Sequence, residues 1–250
     1  MKVISKKRKE YVRKTPYRVD QEKFILNPTS IEAYILGFLW ADGNIYKHTI
    51  KIELKQEDIE NILPIFTMVG DWNYYERQRT KNGIPFGKLQ ASLNTSNKLL
   101  TAFLRSMDYD NKLNGPEKIL CHLEKNLHID FWHGFFDGDG SLYIEDKSPP
   151  TITLQFWSGL TQNWQSLINF LSEYNTLYKI WKYERVKTDG KIHSSSCLGV
   201  KNTLKIKYLL SLFYDRELIG LQRKYDKYLE LSDHLKERTR KYPVGSRYYS

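Results

Sequence analysis

Cysteine is nearly absent: Cys121 and Cys197 are the only two in 250 residues. With no C-x-x-C pair and no mixed Cys/His cluster, neither a disulfide framework nor a structural zinc site is indicated. No apolar run approaches the roughly 18 residues of a membrane-spanning helix, and no secretory signal opens the chain. These absences predict a soluble, intracellular protein with no membrane partner. Acidic residues are in deficit, 29 against 39 lysines and arginines, for a formal net charge of +10. A surplus of that size points to a polyanionic partner. Histidines are few, and His122, His128 and His133 are spaced so that they do not share a helix face, so they are read as ordinary.

Two apolar stretches stand out, Ile31 to Gly43 (IEAYILGFLWADG) and Phe131 to Gly140 (FWHGFFDGDG). Each runs into an Asp-Gly pair, and each has a glycine five positions before the aspartate: Gly37 before Asp42, Gly134 before Asp139. The aspartates lie 97 positions apart, a period too long for a solenoid and suited to two related halves. An EF-hand loop starting at Asp137 is excluded, because Leu142 and Ser148 stand where glycine and glutamate are required.

Thr29 and Glu32 fit a capping box after Pro28, so a helix starts there. Ala33 to Ala41 holds only apolar or small residues, which makes the helix buried on all sides. Gly37 costs about 1 kcal/mol in a helix, and close packing of two helices would explain its presence. Gly43 is expected to end the helix in the left-handed conformation. Asp42 and Asp139 then sit at helix C-termini, where a carboxylate is disfavoured. If the helices pack through their glycine faces, the carboxylates converge in a negative pocket best relieved by a divalent cation. Oxygen ligands select a hard ion such as Mg²⁺.

ILGFLWADG and WHGFFDGDG resemble the paired nine-residue motifs of the LAGLIDADG homing endonucleases in their single-chain, two-repeat form. The resemblance implies that Asp42 and Asp139 are the catalytic, metal-binding pair, helped by the carbonyls of Ala41 and Gly138. Mg²⁺ is the implied metal, with Mn²⁺ as a substitute and Ca²⁺ as a non-cleaving one. Trp40 stands where many copies have an acidic residue, whereas Asp137 keeps it. Lys201 matches the family's basic residue before the closing helix. Asn94 is its first-half counterpart, and Gln56 and Ser158 fall at the polar position ending the second strand. The implied activity is double-strand cleavage of DNA with short 3′ overhangs, by a monomer that mobilises its host intron, intein or gene. A maturase binding intron RNA and a silent DNA-binding regulator are the alternatives, and the two intact aspartates favour the nuclease.

The expected fold class is α+β, two pseudo-symmetric αββαββα repeats, each with a four-stranded antiparallel sheet forming half of a DNA-binding saddle. Residues 1–28 read as a basic arm that tracks phosphates. The first repeat covers 29–112, the second 113–217, and 218–250 forms a C-terminal helix and tail. That last helix reads as solvated and packed on the outside, and Asn111 to Pro116 as the connector between halves. Thr49 to Lys55 alternates as a half-buried strand, and further strands are expected at Asp71 to Thr80 and Phe86 to Asn94. Strand faces rich in polar residues suit base readout in the major groove of double-stranded DNA. The candidates are Lys51, Glu53, Lys55, Arg77, Arg79, Lys88, Gln90, Thr153 and Gln155.

Overall fold

The computed structural model describes residues 21–78, 80–81, 84–85, 87–145, 151–186, 190–218 and 220–241. The elements in chain order begin with α1 (Gln21–Ile25), α2 (Ser30–Asp42), β1 (Asn44–Tyr46), β2 (Thr49–Lys55) and α3 (Gln56–Thr67). Next come β3 (Asn73–Arg77), β4 (Thr80–Lys81), β5 (Ile84–Pro85), β6 (Gln90–Ser96) and α4 (Lys98–Ser106). A 3-10 segment, Tyr109–Asn114, leads to α5 (Glu117–His122), a 3-10 turn at Lys125–Leu127 and α6 (His128–Asp139). The second half continues with β7 (Gly140–Glu145), β8 (Thr151–Gly159), α7 (Gln165–Glu173), β9 (Lys179–Val186), β10 (Ile192–Val200), α8 (Thr203–Tyr214) and α9 (Gln222–Lys241).

Two four-stranded antiparallel sheets result, in matched orders β1-β2-β6-β3 and β7-β8-β10-β9. This is the α+β, two-repeat architecture expected from the sequence. In β2 the alternation holds: Ile50 and Ile52 are buried on the helix side, while Lys51 and Glu53 face the other way, half-buried. The expected strand from Phe86 begins only at Gln90, because Gly87 takes a positive φ of 72° and turns the chain. Lys88 therefore lies in an exposed turn and off the strand face.

The two motif helices form the centre. The capping box of Thr29 and Glu32 is present at the start of α2, worth about 1 kcal/mol. Every residue from Glu32 to Trp40 is buried, as an all-apolar helix requires. α2 crosses α6 at the two glycines. A Cβ on Gly37 would run into the Phe131 carbonyl, and one on Gly134 into the Tyr34 carbonyl. Phe131 and Tyr34 are themselves matched across the 97-residue offset, so the crossing has a pseudo-twofold axis. Only glycine lets the backbones meet this closely.

Three expectations change. Gly43 is extended, φ −74° and ψ 152°, rather than left-handed. The chain runs directly into β1, and glycine is needed there because a side chain would strike the Tyr109 hydroxyl and the Leu39 backbone. Residues 21–28, assigned to the basic arm by charge, instead dock: Phe24 of α1 is wholly buried. The rest of that arm, 1–20, and the tail 242–250 lie outside the described residues. The last helix is not merely a solvated exterior element, since its first turn buries Lys224. Among the described residues no helix is long and apolar enough to cross a membrane.

Candidate metal centre and nucleic-acid face

Asp42 is the last residue of α2 and Asp139 the last of α6. A Cβ placed on Gly138 would fall against the Ala41 side chain and 3.2 Å from Asp42 Oδ2, so the two helix ends touch. Burial, then the Asp42 charge, pushes the Asp139 carboxyl from 3.8 up to about 6. Burial also raises Asp42, against the opposing pull of Lys224 and Lys112. Two crowded carboxylates at the negative ends of two helices thus form one electrostatic unit.

Two lysines answer that charge. Lys112 Nζ donates to the carbonyls of Leu39 at 3.0 Å and Gly43 at 2.5 Å. Lys224 Nζ donates to the carbonyls of Phe136, Asp137 (2.7 Å) and Gly140 (2.8 Å). Leu39 matches Phe136 and Gly43 matches Gly140 between the motifs, so each lysine caps the C-terminus of one motif helix. Burial lowers Lys112 to about 8, although Asp139 and Asp42 oppose it. Lys224 is likewise lowered to about 8 by burial, with Asp137 opposing. Neither lysine was singled out in the sequence. Lys112 lies in the segment expected to be a connector, and Lys224 in the helix expected to be solvated.

Asp137 is wholly buried and fully engaged. It accepts from the Tyr34 hydroxyl at 2.7 Å, the Tyr214 hydroxyl at 3.0 Å and the Leu221 backbone N–H at 2.8 Å. His133 Nε2 lies 3.6 Å away, making this histidine part of the cluster rather than an ordinary one. His122 and His128 do play ordinary roles, bonding the carbonyls of Phe24 and Leu120. Trp40, the counterpart of Asp137, packs edge-on against Tyr109, ring centroids 5.9 Å apart. Tyr109 in turn donates to the Leu39 carbonyl.

The remaining expected site residues are dispersed. Lys201 places its ammonium 5.4 Å above the Trp181 ring. Asn94 reaches Ser92 Oγ at 3.5 Å, and Gln56 donates to Glu60 at 2.6 Å. Ser158 donates to Gln162, whose Nε2 reaches the Lys112 carbonyl at 3.4 Å, so Ser158 alone of these four is linked to a capping lysine. On the first sheet Lys55, Gln90 and Arg77 form one row across three strands, with Lys51 and Glu53 paired at 2.6 Å nearby. On the second, Thr153 is buried and Gln155 accepts from Ser141 at 3.1 Å. Arg79 lies outside the described residues. A cleft of ≈ 640 Å³ is walled by Gly43, Asn44, Lys112 and Thr161.

The sequence matches no protein-family model and no curated protein. Solved structures do match. The homing endonuclease I-WcaI bound to its DNA recognition sequence aligns over 82% of this chain and 91% of its own, with 16% identity and a TM-score of 0.52. The LAGLIDADG homing endonuclease I-GzeII in complex with its DNA target covers 87% and 94% at 13% identity and a TM-score of 0.49. At these identities the likeness is one of fold. The chain has the two-repeat α+β fold of the LAGLIDADG homing endonucleases.

Proposed function

We propose that this chain is a site-specific DNA endonuclease making metal-dependent double-strand cuts. It would leave short 3′ overhangs at a long asymmetric target and promote mobility of a host intron, intein or gene. One observation carries the reading: two helices crossing at matched glycines end at Asp42 and Asp139, and a lysine caps each end, half-buried Lys112 on one and buried Lys224 on the other. The net charge of +10 supports a polyanionic partner. A protein of the same fold, I-WcaI, is bound to a DNA recognition sequence.

The donor set fits a hard divalent cation. It is oxygen only, and the upward shift of Asp139, caused first by burial and then by the Asp42 charge, marks a desolvated carboxylate pair that such an ion would relieve. Asp42 and Asp139 would hold Mg²⁺ or Mn²⁺, with the carbonyls of Ala41 and Gly138 as further donors and Ca²⁺ as a non-cleaving substitute. When bound, the ion supplies charge stabilisation at the phosphate and a more acidic water. The chain's own residues do the rest. Lys112 and Lys224, still cationic at neutral pH, neutralise the helix-end carbonyls and draw a phosphate toward the carboxylates. Of Lys201, Asn94, Gln56 and Ser158, Ser158 is tied through Gln162 to the backbone carbonyl of Lys112.

The test is Mg²⁺-dependent cleavage of a randomised-site duplex library by wild type, Asp42→Asn and Asp139→Asn. Specific double-strand cutting lost in both variants is expected. Cutting that survives both substitutions would place the active site elsewhere. Absence of cutting combined with tight binding to structured intron RNA would replace the nuclease with a maturase.

A further inference from the structure

The segments that carry the two capping lysines are each held from the opposite half. Helices α3 and α7 correspond, since each follows the second strand of its sheet. Lys224 follows α8 and caps α6, yet its neighbours in sequence reach across to α3. Arg223 Nε donates to Asp58 Oδ1 at 2.7 Å, in the first turn of that helix. The Gln222 backbone N–H donates to Asn61 Oδ1, three residues further along, at 3.3 Å. Lys112 shows the reverse. It follows α4 and caps α2, and its segment is gripped by residues just before α7. The Asn163 backbone N–H donates to the Leu113 carbonyl at 2.8 Å, and Asn163 Nδ2 donates to the Asn114 carbonyl at 2.9 Å. Gln162 Nε2 reaches the carbonyl of Lys112 itself at 3.4 Å.

A lysine is a point charge on a flexible four-carbon stem, so where it acts depends on where its backbone is placed. Asp58 is 5% exposed, and a buried carboxylate left without its cation is costly. That cost fixes Arg223, and Arg223 is adjacent to Lys224 in the same helical turn. The ion pair also lies in the field of the metal site. Burial raises the Asp42 carboxyl; Lys224, Lys112 and Arg223 pull it back, and Asp58 pushes it up again. Each lysine thus caps a motif helix of its own half and takes its placement from the other.

We propose that Asp58 and Asn163 are crossed positioning residues for cleavage. Asp58 of the first half, through Arg223, sets Lys224 at the end of α6. Asn163 of the second half sets Lys112 at the end of α2. The inference rests on the DNA endonuclease reading above, and under it neither half of the site is complete without the other.

The experiment is a pair of double-mutant cycles on the full chain. A target is selected from a randomised duplex library in Ca²⁺, and its cleavage is started with Mg²⁺ under single turnover. Asp58→Asn and Arg223→Gln break the first clasp. Asn163→Asp removes the Nδ2 donor of the second while keeping the Oδ1 that accepts the Gln165 N–H. Each is expected to slow cleavage on the order of 10-fold, with duplex affinity in Ca²⁺ little changed. In a Lys224→Met background Asp58→Asn is expected to have no further effect, whereas in Lys112→Met it keeps its full effect. Asn163→Asp is expected to show the opposite pattern. A residue that only supports the fold would slow every background alike. Arg223→Lys is expected to recover part of the rate lost in Arg223→Gln. Arg223 has a half-exposed side chain, so its variants report on the clasp even where Asp58→Asn folds poorly. Slowing that persists in full when the partner lysine is already methionine would overturn the inference, and so would wild-type rates in Arg223→Gln. Failure of the wild type to cut any selected duplex would overturn the endonuclease reading, and this inference with it.

Discussion

The Asp137 carboxylate accepts the Leu221 backbone N–H at 2.8 Å, in a site where Asp137 has no exposed surface. Leu221 immediately precedes α9, and Lys224 reaches the end of α6 from the first turn of that helix. The contact therefore fixes where Lys224 enters. Tyr34 of α2 donates to the same carboxylate, which ties the second helix end to the first repeat. In the first half, Trp40 takes the place of Asp137 and packs on Tyr109, three positions before Lys112. One lysine is positioned by a buried carboxylate and the other by an aromatic contact.

Asp137→Asn tests that relationship. An amide offers one acceptor oxygen in place of two, so the three donors cannot all be satisfied. Stability is expected to fall by about 1–3 kcal/mol. Cleavage is expected to fall by on the order of 10-fold or more as Lys224 shifts, with DNA affinity little changed. A variant with lowered melting temperature but wild-type kcat would show that Asp137 is structural only.

Gly37→Ala and Gly134→Ala are expected to damage the fold more than any surface change. Each methyl meets a backbone carbonyl of the facing helix, which cannot rotate away as a side chain would. Overpacking here is expected to cost about 3 kcal/mol or more, seen as a melting temperature lower by roughly 6–12 °C. Near-native melting of both alanine variants in thermal unfolding would mean that the helices do not cross at these residues.

Much of this was legible in the sequence, and particular residues show why the rest was not. The Thr29 and Glu32 box, the alternation of β2 and the bounds of α8 at Thr203 and Tyr214 are local patterns, and local patterns survive folding. The repeat of Gly37 and Asp42 at Gly134 and Asp139 announced the helix crossing because both partners carry the same signature. The capping lysines have no such signature. Lys112 follows Asp42 by 70 positions and Lys224 follows Asp139 by 85, so the offset that matches the motifs does not match the lysines. Their shared signal is topological: each follows the helix that closes its half. A basic residue in a loop and another in a charged helix look solvated until the tertiary fold covers them, Lys112 in part and Lys224 almost wholly. The extended Gly43 was missed for a different reason. Asp-Gly after a helix suggests conformational freedom, whereas here glycine answers a steric demand from Tyr109, distant in sequence.

The Asp139 shift makes a stability prediction with a definite sign. Its carboxyl sits at about 6 in the folded, metal-free protein against 3.8 ordinarily. The folded state binds the proton more tightly than the unfolded state. No penalty exists below about pH 3.8, where the group is protonated in both. Stability is lost as pH rises from there through 6, and the loss is constant above. Removing the charge in Asp139→Asn is expected to stabilise the metal-free protein by about 1–3 kcal/mol at pH 7. The gain should shrink steadily toward pH 4. Thermal unfolding in chelator across that range measures it, and a pH-independent gap would assign the effect to something other than ionisation.

Lys112→Met separates the two roles assigned to the lysine caps. Without its positive charge, Asp42 and Asp139 lose an attraction that holds both carboxyls down, and the Leu39 and Gly43 carbonyls lose their donor. The site becomes more negative. Binding of Ca²⁺ in the absence of DNA is therefore expected to tighten several-fold, since a nearby cation no longer repels it. Cleavage of duplex in Mg²⁺ is expected to fall on the order of 10²-fold, because a cation that draws in and stabilises the phosphate is gone. The two effects run in opposite directions, so general unfolding cannot mimic them. Weaker Ca²⁺ binding together with slower cleavage would mean that Lys112 holds the helix end in shape and contributes nothing to the charge balance of the site.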